Sequence, residues 1–163
     1  MKKALITCAI VGGLLASYPA LSTDQAASDK SAGKGGYHHA QQKLKVVEDL
    51  YAGFFNRHDI GVAQRLIVEN YKQHNPFVGD GIKPFLDFFS QTFKDNPQYS
   101  AKIYRSAVNG DLVYVHVKYQ NNPQDRGTAS VDIYRVNDQG KITEHWDVNQ
   151  DVPEKSANDN TMF

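Results

Sequence analysis

The chain has 163 residues, enough for one domain of ordinary size, and its 40% hydrophobic and 11% aromatic content suits a packed core rather than a disordered segment. Formal net charge is zero, so nothing points to an electrostatic partner such as nucleic acid or an anionic membrane. The only cysteine is Cys8.

Lys2 and Lys3 precede an apolar run from Ala4 to Ala16, and Ala20-Leu21-Ser22 fits a small-x-small cleavage pattern. Residues 1–22 therefore read as a secretory signal peptide, and the run is shorter than the roughly 20 residues a spanning helix needs. Cleavage would remove Cys8 and with it any disulfide, thiolate nucleophile or cysteine metal site, leaving a periplasmic or secreted protein with no membrane contact. Residues 23–37 are small, polar and glycine-bearing, and read as a flexible leader before a single domain over residues 38–163.

From His39 to Arg57 the apolar residues Leu44, Val47, Leu50, Tyr51, Phe54 and Phe55 recur at helical spacing. Asp59 is placed to cap a second, shorter helix carrying Val62, Leu66 and Ile67. Tyr71 to Asn75 is a strand or an extended entry to the loop Phe77–Gly81. A third helix follows, with Pro84 in its first turn and Phe85, Leu86, Phe88, Phe89 and Phe93 on its buried side. It ends before Asn96-Pro97.

The period then changes from 3.6 to 2. Tyr99 to Val108 reads as a strand, Asn109-Gly110 as a hairpin turn and Leu112 to Tyr119 as the next strand. Asn121 to Gly127 forms a loop. The last hairpin runs from Val131 to Gln150 around Asn137–Gly140. The order predicts an α+β fold, with helices packed on one face of a curved antiparallel sheet. The apolar Met162 and Phe163 are expected to bring the tail back onto the body.

Asp132, His145 and Asp147 interrupt this apolar last hairpin, and ionisable groups in a central strand are usually paired or used. If the loop is centred near Gln124, His116 lies opposite Asp132. In the last hairpin a four-residue loop puts His145 opposite Asp132, and a bulged three-residue loop puts Trp146 there. An Asp beside a His is suited to general acid/base work. A purely structural pairing of Asp132 with Arg126, Arg135 or a His is the alternative. His74 and Asn75, just before Pro76, would donate hydrogen bonds to a substrate oxygen or merely form a turn. Convergence of His74, His116, His145 and Asp132 on a metal would lack compact ligand spacing, so no metal site is expected.

YKQHNP, FVGDG before a helix, VDIYRVNDQGKITEHWDVNQDVP and the ending NTMF together resemble the SnoaL-like polyketide-cyclase or aldol-condensation family of the nuclear-transport-factor-2-like superfamily. The resemblance covers roughly His39 to Phe163. It implies a cone-shaped α+β fold, with three N-terminal helices wrapped by a curved antiparallel sheet that encloses an apolar pocket. It further implies cofactor-free chemistry on a small apolar carbonyl-containing molecule. Asp132 would be the acid/base, and His116, His74, Asn75 and Trp146 or His145 would line the pocket. A homodimer through the outer sheet face is implied too, with Tyr114, Tyr119 and Tyr134 as contributors. The rival reading is a periplasmic binding or accessory protein without catalysis.

Overall fold

The computed structural model describes residues 23–163, and the signal-peptide expectation for residues 1–22 lies outside them. Helix α1 spans Thr23–Leu50. The stretch expected as a flexible leader therefore continues the first helix instead. The helix runs through Gly33, Gly35 and Gly36, residues of low helix propensity. Among the described residues, no helix is long and apolar enough to cross a membrane.

The first helix widens at its end into a π-helical turn, Tyr51–Phe55, closed by the Asn56 amide donating to the Tyr51 carbonyl. The extra residue in that turn lets Tyr51, Phe54 and Phe55 all point inward, and all three are buried. His58 ends this segment in the left-handed region, with its ring stacked on Phe93. The expected cap is present, since the Asp59 carboxylate accepts from the Gly61 amide at 2.9 Å and opens α2, Ile60–Leu66. Ile67 belongs to the next element, β1 (Ile67–Gln73), which starts earlier than the sequence indicated.

Helix α3, Ile82–Asp95, follows the Phe77–Gly81 loop and buries Phe85 and Phe93 against Phe54. Phe88, expected on the buried side, is 46% exposed and lines a cavity instead of joining the core. Four strands complete the chain: β2 (Ser100–Asn109), β3 (Leu112–Gln120), β4 (Thr128–Val136) and β5 (Ile142–Asp151). The sheet order is β1-β5-β4-β3-β2, antiparallel except for β1 beside β5. The fold class is the expected α+β one, a curved, unclosed sheet with the helices against its inner face. Register shifts in the β1–β5, β2–β3 and β4–β5 pairings mark the bulges that bend it.

Side-chain parity divides the sheet cleanly. Val113, Val115, Val117 and Tyr119 on β3, Ser130, Asp132, Tyr134 and Val136 on β4, and Ile142 and His145 on β5 face inward. Tyr114, His116, Val131, Arg135, Trp146 and Val148 face outward. The tail does return, and Phe163 packs on this outer face against Tyr104 and His116.

Two registers differ from the expectation. Val115 pairs with Asp132 and His116 with Val131, so the β3–β4 loop is centred half a residue earlier than Gln124. The loop is set by the Asp125 carboxylate, which accepts from the Asn121 and Gly127 amides, both at 2.9 Å. In the last hairpin Val136 pairs with Ile142 and Arg135 with Glu144 across a bulge, which puts Asp147, not His145 or Trp146, directly opposite Asp132.

Candidate active site

Asp132 sits inside the sheet because β4 presents alternate residues to the core, and it is 1% exposed. A bare carboxylate at that depth is costly, so its surroundings must supply hydrogen bonds. Ser130, two residues earlier on the same face, donates to Oδ1 at 2.6 Å. The Tyr119 hydroxyl donates to Oδ2 at 2.6 Å, and Tyr51 donates to that same oxygen from the π-helical turn. Tyr134 reaches the Tyr51 hydroxyl at 3.2 Å. Burial, and then the Asp132 charge, push the phenols of Tyr51, Tyr119 and Tyr134 well above their ordinary range, so they remain protonated donors. Burial would raise Asp132 as well. The His145 ring when protonated, and the donated bonds of Ser130 and Tyr119, outweigh it, and its carboxyl lies below the ordinary value. Asp132 is ionised at neutral pH.

His145 lies diagonally across from Asp132, its Nε2 3.7 Å from Oδ1. That is beyond hydrogen-bond distance. Nε2 is buried and has no hydrogen-bond partner. The other ring nitrogen, Nδ1, is 2.9 Å from the side-chain oxygen of Gln73 at the end of β1. Farther along β5, Asp147 accepts from Asn75 at 2.7 Å and Asn149 at 3.0 Å. Asn75 also accepts from the Phe77 amide, which pins the start of the loop.

These groups close one end of a cavity of about 430 Å³, within the range of small-molecule sites. Phe55, Phe77, Phe85, Phe88, Phe89 and Tyr99 form its aromatic wall. Its charged lining is Asp125, Asp132 and Asp147, with no lysine or arginine. The Asp132, His145 and Asp147 side-chain N and O atoms lie within 4.8 Å of one another, and both Asp132 oxygens already accept hydroxyl hydrogens.

A SnoaL-like domain model matches residues 47–145. The chain belongs to the SnoaL-like family. No functionally curated protein matches the sequence. Among solved structures, a proposed polyketide cyclase from Bacillus cereus ATCC 10987 superposes with a TM-score of 0.58 at 21% identity, over 81% of this chain and 80% of that one. IdmH, a proposed polyketide cyclase of Streptomyces antibioticus, gives 0.57 at 22% identity, over 66% and 91%. A proposed SnoaL-like isomerase of Agrobacterium tumefaciens str. C58 gives 0.57 at 15%, over 68% and 98%. At these identities the likeness is one of fold.

In this SnoaL-like chain Asp132, His145 and Asn75 reach the cavity, while three expected site residues do not. His116 is on the outer face, where Arg105 donates to its Nδ1 at 2.9 Å. The register shift put it there. Trp146 is outward for the same reason and stacks on His74 at 4.7 Å. His74 in turn bonds Glu144 at 2.8 Å, outside the cavity. Tyr119 and Tyr134, expected on a dimer face, are inner-face partners of the Asp132 network. Residues not foreseen in the site are Tyr51, Gln73, Tyr119 and Ser130, while Asp147 was singled out in the hairpin but given no role. Of these, Ser130 shares a face with Asp132 by simple alternation and was readable from parity.

The outer cluster has its own consequence. The His74 hydrogen bond, then Arg135 and Lys72, hold the Glu144 carboxyl at about 2 against an ordinary 4.5. A depressed carboxyl adds stability above its unfolded value that is lost as pH falls through the folded one. Glu144→Gln is expected to flatten the fall in stability between about pH 4.5 and 2, as read from urea midpoints across that window. An unchanged acid limb would refute it.

Proposed function

We propose that this protein is a cofactor-independent acid/base enzyme that moves a proton next to the carbonyl of a small, uncharged compound, in an aldol condensation, cyclisation or isomerisation. The observation that carries the reading is the pairing of an ionised, buried Asp132 with a His145 nitrogen that has no partner, at the end of an aromatic cavity. Family membership and relatives named for cyclisation and isomerisation support the same chemistry. The lining selects for charge, because three aspartates and no cation would repel a carboxylate or phosphate. In the same proposal the chain is exported after cleavage near Ser22 and pairs with a second copy through its outer sheet face. N-terminal sequencing of protein from its host and light scattering test those two points.

The chemistry is tested by proton exchange. Neutral cyclic and aryl 1,3-diketones are incubated with the protein in D2O, and loss of the α-proton signal is followed by NMR. Enzyme-dependent exchange is expected for neutral probes, with little for carboxylated analogues of the same size. No exchange above buffer for any probe, together with a co-purifying ligand released unchanged, would replace this reading with that of a non-catalytic binding protein.

A further inference from the structure

The side-chain amide of Gln73 is read unambiguously from its neighbours. Its Oε1 is 3.0 Å from the backbone amide of Asn75, which can only donate, so that end of the group is the oxygen. The same oxygen faces His145 Nδ1 at 2.9 Å. Its Nε2 end points at the Tyr71 hydroxyl. An oxygen facing Nδ1 can only accept, so Nδ1 carries the ring hydrogen. In the neutral ring, which has one N–H, Nε2 is then left with a bare lone pair. Nε2 is buried and has no hydrogen-bond partner, 3.7 Å from the Asp132 carboxylate.

Asp132 is in the opposite condition. Both of its oxygens accept hydroxyl hydrogens, from Ser130 on one side and from Tyr51 and Tyr119 on the other. A proton could join it only by displacing one of those donors. A carboxylate held this way is a poor proton acceptor and a good fixed charge.

We infer that His145, not Asp132, takes the proton in this site, and that Gln73 is the positioning residue that keeps the ring in the tautomer with Nε2 free. The inference rests on the acid/base reading above. In the step, the C–H bond next to the carbonyl breaks and its proton forms an N–H bond at Nε2. The electron pair moves onto the carbonyl oxygen, giving an enolate. Asp132 stays ionised and stabilises the imidazolium, which returns its proton once the enolate carbon has reacted or been reprotonated.

Two readouts test this on the full mature protein. The first is the tautomer of His145, from long-range 1H–15N NMR at a pH where the ring is neutral, with His145→Gln used to assign the signal. An Nδ1–H ring is expected in the wild type and in Gln73→Glu, whose carboxylate still accepts, with loss of that single tautomer in Gln73→Leu. An Nε2–H ring in the wild type, or no change in Gln73→Leu, overturns the role of Gln73. The second readout is diketone exchange, where His145→Gln is expected to lose about 10²–10⁴-fold, the usual contribution of a general base. Gln73→Leu should lose less, with activity restored in Gln73→Glu. Exchange retained in His145→Gln but lost in Asp132→Asn would return the proton to Asp132 and leave the acid/base reading standing. If no probe exchanges with the wild type, that reading fails and the base assignment with it, while the tautomer still decides the role of Gln73.

Discussion

Asparagine at position 132 is expected to slow diketone exchange by about 10²–10³-fold, a loss typical of removing one preorganised electrostatic group. It is also expected to lower stability at neutral pH, since a carboxyl held below its ordinary value stabilises the fold in its charged form. The shape of the site survives the change. The asparagine oxygen can still accept from Tyr51 and Tyr119, and its amide can donate to the Ser130 hydroxyl in place of the bond that Ser130 now gives. What disappears is the negative charge 3.7 Å from His145 Nε2. Opposite unit charges at about that separation attract by about 4 kcal/mol at an effective dielectric of 20. Each 1.36 kcal/mol is about tenfold in rate, so that attraction covers nearly three decades. Deuterium exchange by NMR and a thermal melt on the same sample separate the two effects. A wild-type rate in Asp132→Asn would mean that the charge plays no part in the chemistry.

Fold class was legible because the apolar period changes from 3.6 to 2 near Tyr99, and the strand breaks at Gly110 and Gly127 fall where the turns are. The candidate site was legible only in part, since strand parity magnifies small errors. Moving the β3–β4 loop centre by half a residue sends His116 to the outer face and brings Tyr119 in, with no change in the strands themselves. The bulge between Arg135 and Val136 likewise decides that His145 is inside and Trp146 outside. Both shifts depend on side-chain to backbone bonds within loops, such as those of Asp125 and of Asn137, whose oxygen accepts from the Lys141 amide. Periodicity carries no record of them. Tyr51 was hidden for another reason. On an ideal α-helix it is one more core aromatic beside Phe54 and Phe55, and the π-helical turn is what brings its hydroxyl to Asp132. Gln73 was invisible because it sits at the end of a strand whose partner, β5, is distant in sequence and parallel to it. The acid at the centre was found because its chemistry was out of place on an apolar strand, whereas its partners are ordinary residues made special by topology.

Gly127→Ala is expected to destabilise the protein by about 3 kcal/mol or more, from strain in the left-handed region of roughly 1–3 kcal/mol compounded by a steric clash. Gly127 has φ of +89°, and a Cβ there would fall well inside 3.0 Å of the Tyr119 carbonyl oxygen, with Gln120 Cγ and Lys118 Cε at 3.0 Å. A carbonyl in a sheet ladder has no freedom to retreat. Gly110 separates the two contributions, because it shares the backbone conformation at φ of +63° but has nothing within 4 Å of a built Cβ. Gly110→Ala should therefore cost only about 1 kcal/mol, the backbone part alone. For a chain of this length 1 kcal/mol moves Tm by roughly 2–4 °C, so the expected falls are roughly 6–12 °C at position 127 and 2–4 °C at position 110. The clash also matters for the site. Gly127 closes the loop whose Asp125 lines the cavity mouth, and the strand it would push carries Tyr119, a donor to Asp132. Diketone exchange in Gly127→Ala, measured well below its Tm, should fall with stability, while Gly110→Ala keeps its rate because that turn lies away from the cavity lining. Equal melting shifts for the two alanines would show that the β3–β4 connection yields to a methyl group, and that the placement of Tyr119 against Asp132 does not depend on it.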